Sequence, residues 1–352
     1  MKLKDWHFIF GLASAILGIV PIGLAAAPYH LLKEIQVGGE GGGSCLSIDE
    51  HARRLYVVQA GKIVIIDLKE EQVIGAITNT LGVHGFAIAP SLGFGYYGSG
   101  QDAGLHMVNL RGLRTFKRIT AGKDLRTILY EPGRQQIYAF DGSSHSAKAY
   151  EADDGDYLAT IQLSGTPGAA ASEPKAGLVY CNIEDKDEVL IINNKTRKVV
   201  NHWPVAPGKT PSGMAIDATS HRLFIGCANK LMVMMDSEKG RAIATVPIDE
   251  GAGGNAFDAG TGLAFTSCGK GTVIIVREET PDKLAVVQTL MTQPGARTMA
   301  LDPVTHKIYL ATASSRSLPE QAAGAERPSP EIVPSGFKVL VYGMDESAKP
   351  AK

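Results

Sequence analysis

From Asp49 to Asp302 the chain writes one pattern seven times, at intervals of 40, 42, 42, 44, 41 and 44 residues. In the clearest copy, Ile48-Asp49 is followed by Leu55-Tyr56-Val57, a turn, and the alternating run Ile63-Val64-Ile65-Ile66-Asp67. The same order returns in Ala215-Ile216-Asp217, Leu223-Phe224-Ile225 and Leu231 to Asp236, and again from Asp258 and Asp302. Weaker copies start at Ala89, Glu131 and Glu173. A period of about 42 residues built from short alternating segments predicts an all-β fold, a seven-bladed β-propeller of four-stranded antiparallel blades. Glycine and proline number 40 and 18, above the usual share, as expected for many tight turns between short strands.

Two checks support a ring. Residues 28–344, less a Pro/Ala-rich insert at 314–336, leave seven units of 42. Two residues before the seven anchors stand Ser47, Ala87, Leu129, Ala171, Ala215, Ala256 and Ala300, and small side chains are what strands converging on an axis require. The seventh copy ends at Phe337 to Tyr342 with no fourth strand after it. His30 to Gly38 has the fourth-strand pattern, so the N-terminal strand should complete the last blade and remove two exposed sheet edges.

Lys2 and Lys4 precede an uncharged stretch, Phe8 to Ala27, that closes on small residues. We read residues 1–27 as a signal peptide, or an anchor if it is retained, residues 28–344 as one domain, and 345–352 as a disordered tail. A periplasmic or secreted location follows, with membrane attachment only through a retained anchor. The net charge of −1 and the lack of a basic, aromatic-rich stripe argue against a nucleic-acid partner. A monomer is expected.

Leu55-Tyr56-Val57-Val58 and Ile308-Tyr309-Leu310-Ala311, each followed by a turn and an alternating strand, resemble the YVTN-type repeat of secreted and periplasmic YncE-like β-propellers. The resemblance covers residues 29–344 and implies fold rather than activity, because such repeats occur in binding proteins, surface-layer proteins and several enzymes. Where the family pattern has Thr-Asn, this chain has Val58-Gln59 and Ile225-Gly226, so no binding role transfers through those positions.

Few residues suggest chemistry. The anchor carboxylates recur with the repeat and suit turns that accept backbone N–H groups. Cys45, Cys181, Cys227 and Cys268 form no CxxC pair; Cys227 and Cys268 fall at equivalent places in adjacent blades, too far apart for a disulfide, and are expected to be buried thiols. His51, His221 and His306 lie between first and second strands and are expected to be exposed turn residues. Gly38 to Gly43 reads as a loop. No cofactor and no metal site is expected, although His84, His106, His145, Asp102 and Asp141 could supply ligands if the fold gathered them.

One set stands out when the repeats are superposed. Five residues before the anchors come Ser44, His84, Arg126, Gly168, Ser212, Gly253 and Arg297, at the entrance to each inner strand. In a ring they surround one mouth of the axial channel, and Arg126, Arg297 and His84 with Ser44 and Ser212 form a candidate site for a small anion. Gln101, Asp102, His106, Asp141, His145 and Lys270, in loops on the same face, are rim candidates. The expected function is non-catalytic binding of a small anionic ligand or a protein partner. The alternative is an enzyme of lactonase or lyase type using the same mouth.

Overall fold

The computed structural model describes residues 28–39, 45–59, 61–280, 282–316 and 331–345, with backbone alone for 314–316 and 331–335. The chain forms seven four-stranded antiparallel sheets arranged as a seven-bladed β-propeller. Six blades are consecutive meanders; blade three, for example, runs Leu125–Glu131, Gln136–Asp141, Ser146–Glu151 and Tyr157–Gln162 from the axis outward. Innermost strands end at Asp49, Ala89, Glu131, Glu173, Asp217, Asp258 and Asp302, the seven anchors of the repeat.

Blade seven closes as expected. The N-terminal strand His30–Gln36 pairs antiparallel with Glu331–Gly343 and becomes the outermost strand of a sheet whose inner strands are Thr298–Asp302 and Lys307–Arg316. Tyr29 fixes the entry of this strand: its hydroxyl donates to the His306 carbonyl at 2.7 Å, its N–H donates to Gln288, and its ring meets Phe265 edge-on. The second and third strands of blade seven run on beyond the reach of the inner strand, pairing Ser315 with Ile332 and Arg316 with Glu331. Residues 317–330 of the insert lie outside the described residues, as do residues 1–27, 40–44 and 346–352. Among the described residues no helix is long and apolar enough to cross a membrane.

Packing explains why the blades need one another. Each sheet has two apolar faces, and among the described residues seven buried clusters occur, one for each blade interface around the ring. Ile35 of the closing strand, Phe337, Val339 and Val341 of blade seven meet Leu55, Val57, Val64 and Ile66 of blade one in a single cluster. Burial of such a side chain contributes on the order of 2 kcal/mol, and a missing blade would expose two such faces.

The turns after the innermost strands share one conformation. Four residues past each anchor the backbone is left-handed: Arg53, Gly93, Gln135, Gly177, His221, Gly262 and His306 all have φ between 53° and 70°. Glycine adopts this freely, whereas other residues incur about 1 kcal/mol or more. Three of the four non-glycine residues reach the anchor acid of the preceding blade. Arg53 Nη1 donates to Asp302 Oδ1 at 2.7 Å, His221 Nδ1 lies 2.8 Å from Glu173 Oε1, and His306 Nδ1 lies 2.7 Å from Asp258 Oδ2. Both histidines sit in turns as local sequence suggests, but each also bridges to the preceding blade, with His221 keeping 40% of its side chain accessible and His306 only 16%. Exposed His51 lies only two past its anchor, and its N–H donates to Asp49 Oδ1.

The anchor carboxylates serve the turns. Asp49 accepts from the His51 and Ala52 N–H groups, Glu131 from Gly133 and Arg134, and Asp217, Asp258 and Asp302 each from the residue two ahead. All four cysteines are free, with Cys181, Cys227 and Cys268 buried; burial pushes the Cys227 thiol up to about 12.

Candidate functional site

The innermost strands begin irregularly, and this positions the site. Pairing with the second strand slips between Val83 and Phe86, Leu125 and Thr127, Pro167 and Ala170, Pro211 and Gly213, and Ala252 and Asn255. The residues passed over include His84, Arg126, Gly168, Ser212 and Gly253. A β-bulge frees one residue from the ladder and re-aims its side chain. In these five blades the position five before the anchor is thus turned out of the ladder and toward the axis.

These positions meet. His84, Arg126, Gly168, Ser212, Gly253 and Arg297 all line one cavity of about 530 Å³, whose wall also includes Phe86, Ile128 and Met299. Ser44 lies outside the described residues. The glycines there follow from crowding: a Cβ on Gly253 would come within 2.2 Å of the Arg297 carbonyl oxygen, and one on Gly213 within 2.2 Å of the Gly253 carbonyl oxygen. Ser212 is similarly committed, its hydroxyl donating to the carbonyls of Gly226 at 3.2 Å and Ala252 at 3.0 Å. Ser47 and Thr127 make the same kind of bridge, to Phe86 and Gly168 of the next blade. Ser212 is a seam residue at the edge of the cavity.

The two arginines differ. Arg126 Nε donates to Asp124 Oδ2 at 2.9 Å, and its Nη1 lies 3.4 Å from Glu184 Oε2. Arg297 Nη2 contacts only a carbonyl, that of Ala252, at 3.5 Å, and among the described residues no carboxylate pairs with it. Glu184, part of the cavity wall, is the site residue that repeat superposition did not single out. It opens a short 3₁₀ turn, Glu184–Lys186, in the acidic loop between the second and third strands of blade four. Burial raises the pKa of its carboxyl, and Arg126 and Arg297 act in the opposite direction. The loop's acidity was visible in the sequence; which of its acids reaches the axis was not.

The rim candidates lie outside the lining of this cavity. Asp102 accepts from Arg118 Nε at 2.8 Å and from His106 Nε2 at 3.0 Å, while the His106 ring stacks on Tyr97 with centroids 4.6 Å apart. Burial alone would raise the Asp102 pKa, but the Arg118 and His106 hydrogen bonds outweigh it and hold it at about 2. Asp141 accepts from the Asp124 and Ser143 N–H groups and from the hydroxyls of Ser143 and Ser144, organising a turn. His145 lies 3.5 Å from the Thr166 hydroxyl. Lys270 is exposed, and Gln101 packs against Gly82. Among the described residues no three His, Cys, Asp or Glu side chains gather in a metal-binding arrangement.

Among solved structures the fold is similar to hydrazine synthase of Kuenenia stuttgartiensis, with a TM-score of 0.66 over 76% of this chain and 92% of that chain, at 14% identity. At that identity the likeness is one of fold. No protein-family model matches the chain, and no curated protein matches it in sequence.

Proposed function

We propose that the protein is a binding module whose axial funnel holds a small anionic ligand, with Arg297 as the principal cation. The observation that carries this reading is the contrast between the arginines. Arg126 already has Asp124 and Glu184, whereas Arg297 faces the same enclosed space with a carbonyl contact alone. A guanidinium presents a rigid fork of donors suited to carboxylate or phosphate, and a partly enclosed cleft strengthens its field. Apolar Phe86, Ile128 and Met299 suit the body of a small organic acid, and His84 adds a further polar group. Calorimetry with short dicarboxylates and phosphate, on the full chain and on Arg297→Ala, tests it. Loss of binding with unchanged melting supports the reading, and unchanged affinity refutes it.

A second reading has one observation in its favour. Glu184, half-buried between two arginines with its pKa raised by burial, is the kind of carboxyl that general acid–base chemistry uses. A lactonase or lyase would use it at this mouth, and a screen of lactones and esters against Glu184→Gln separates catalysis from binding. A periplasmic or secreted location and kinship with YVTN-type propellers belong to the same proposal. They rest on the N-terminal sequence and on the Leu-Tyr-Val repeat, and cell fractionation tests the former.

A further inference from the structure

The opposite face of the ring carries a second charged cavity, between blades three and four. It encloses about 600 Å³, and its lining brings together Arg134, Lys175, Lys195 and Arg197 with Glu151 as the one carboxylate among the described residues. Four cations against one anion leave the lining at +3, in a chain whose formal net charge is −1. Among the described residues none of the four cations has an ion-pair partner. This contrasts with Arg53, Arg118, Arg126 and Lys338, each paired with a carboxylate.

The arrangement is built into the fold. Arg134 comes from the turn after the innermost strand of blade three, and Lys175 from the equivalent turn of blade four. Lys195 and Arg197 come from a turn organised by Asn193, whose Oδ1 accepts from the N–H groups of Lys195 at 3.0 Å and Thr196 at 2.9 Å. Arg197 itself is left-handed, with φ 53°, and its N–H donates to the Asn193 carbonyl at 2.8 Å. The floor is polar and buried, with Gln136 and Asn194 each 3% exposed. Asn194 Oδ1 accepts from Arg134 Nε at 3.2 Å. The Gln136 amide, turned so that its nitrogen donates to the Asn194 carbonyl, offers its oxygen to Arg197 Nη1 at 3.2 Å. Each contact occupies one of the five N–H donors of a guanidinium, so both forks are held in place with donors to spare.

Unpaired like charges gathered in a cleft repel one another, and their summed field concentrates anions. Two anchored guanidiniums and two exposed ammonium groups suit a ligand with several oxygens in a tetrahedral array, which accepts from the forks and attracts the point charges together. We propose that this cavity is a binding site for a multiply charged tetrahedral oxyanion, a phosphate or sulfate group. It is separate from the funnel and independent of the reading given for that mouth.

The test uses the full chain in low salt. Pyrophosphate and a sulfated disaccharide are titrated by calorimetry, with acetate as the singly charged control. Saturable binding of either is expected, with acetate at least tenfold weaker, and the tighter of the two identifies phosphate or sulfate as the source. Lys175→Ala with Lys195→Ala, both exposed residues, should weaken binding at least tenfold without moving the melting temperature. Lys195→Glu should do so alone, and the lysine-dependent binding should persist with the same dissociation constant in Arg297→Ala, which removes the funnel's contribution. The site is overturned if neither polyanion binds, if the lysine variants bind as the parent does, or if binding is lost in Arg297→Ala instead.

Discussion

The two ends of the innermost strands handle charge in opposite ways. Where these strands finish, acids are buried and met by the next blade: Asp302 and Asp258 are 0% exposed and Glu173 2%, and Arg53, His306 and His221 reach them. Where the strands begin, bulges turn side chains out to an open cavity, and Arg126 keeps 43% of its side chain accessible. A charge buried in a seam must be compensated or the blades separate: three of the finishing acids are met by a side chain of the next blade, and Asp49, Glu131 and Asp217 accept N–H groups of their own turns. A charge at the mouth stays hydrated and can remain available, as Arg297 does. Pairing therefore marks what holds the ring, and lack of pairing marks what can receive a ligand.

The largest test of that contrast is Asp302→Asn. It leaves the Arg53 guanidinium beside a neutral amide in a buried seam and should cost about 3 kcal/mol, read as a lower urea midpoint. The sign with pH is definite. Burial by itself raises the Asp302 pKa, but Arg53, Thr305 and the Val304 N–H together hold it below the ordinary carboxylate range. Its stabilisation is present above the unfolded-state pKa, near 4, and is lost as pH falls through the lower folded-state value. Wild-type stability should therefore drop on acidification below about pH 4 more steeply than that of Asp302→Asn.

At the mouth, Arg297→Ala should cost about 2 kcal/mol of anion binding, a loss of some thirtyfold, while its effect on stability stays within about 0.5 kcal/mol. A large loss of stability instead would make Arg297 a seam residue and dissolve the contrast. His306→Ala is the seam counterpart: about 1 kcal/mol of stability should go, because Asp258 keeps the Gly260 N–H and the Thr261 hydroxyl. Anion affinity in the funnel should not move.

Glu184→Gln should have the smallest effect and the opposite sign. Removing the carboxylate frees Arg126, and affinity for anions should rise a few-fold, about 0.5–1 kcal/mol. Glu184 faces Arg126, Arg297 and Asp185, with His84 in the same cavity, and its carboxyl is displaced upward. Anion binding by the parent should strengthen as pH falls toward that raised value, and the Gln variant should lack this component. A pH profile shared by both proteins shows that Glu184 is not the source of the effect.

The fold was legible in one dimension because the repeat is a property of spacing. Alternation and the anchor positions identified seven inner strands, and the lack of a fourth strand after Tyr342 required the N-terminal segment to complete blade seven. The site was legible in part. Superposed repeats brought His84, Arg126, Ser212 and Arg297 to one mouth, but superposition assumes that equivalent positions do equivalent work. It could not show that Ser212 bridges two blades, that Asp102 and His106 are bound to Arg118 and Tyr97, or that Glu184 turns inward beside Arg126.

His221 and His306 mark the same boundary from the other side. Local sequence places them in turns, yet each contacts an acid 48 residues earlier in the chain. The cations of the exit-face cavity likewise come from separated turns at Arg134, Lys175, and Lys195 with Arg197, and no window of sequence contains them all. Number, order and closure of the blades were determined by the sequence alone, because each follows from a periodic hydrophobic pattern that only one architecture buries. Which charges are paired and which stay open was decided by the tertiary structure, because that depends on angstrom-scale distances between side chains of neighbouring blades.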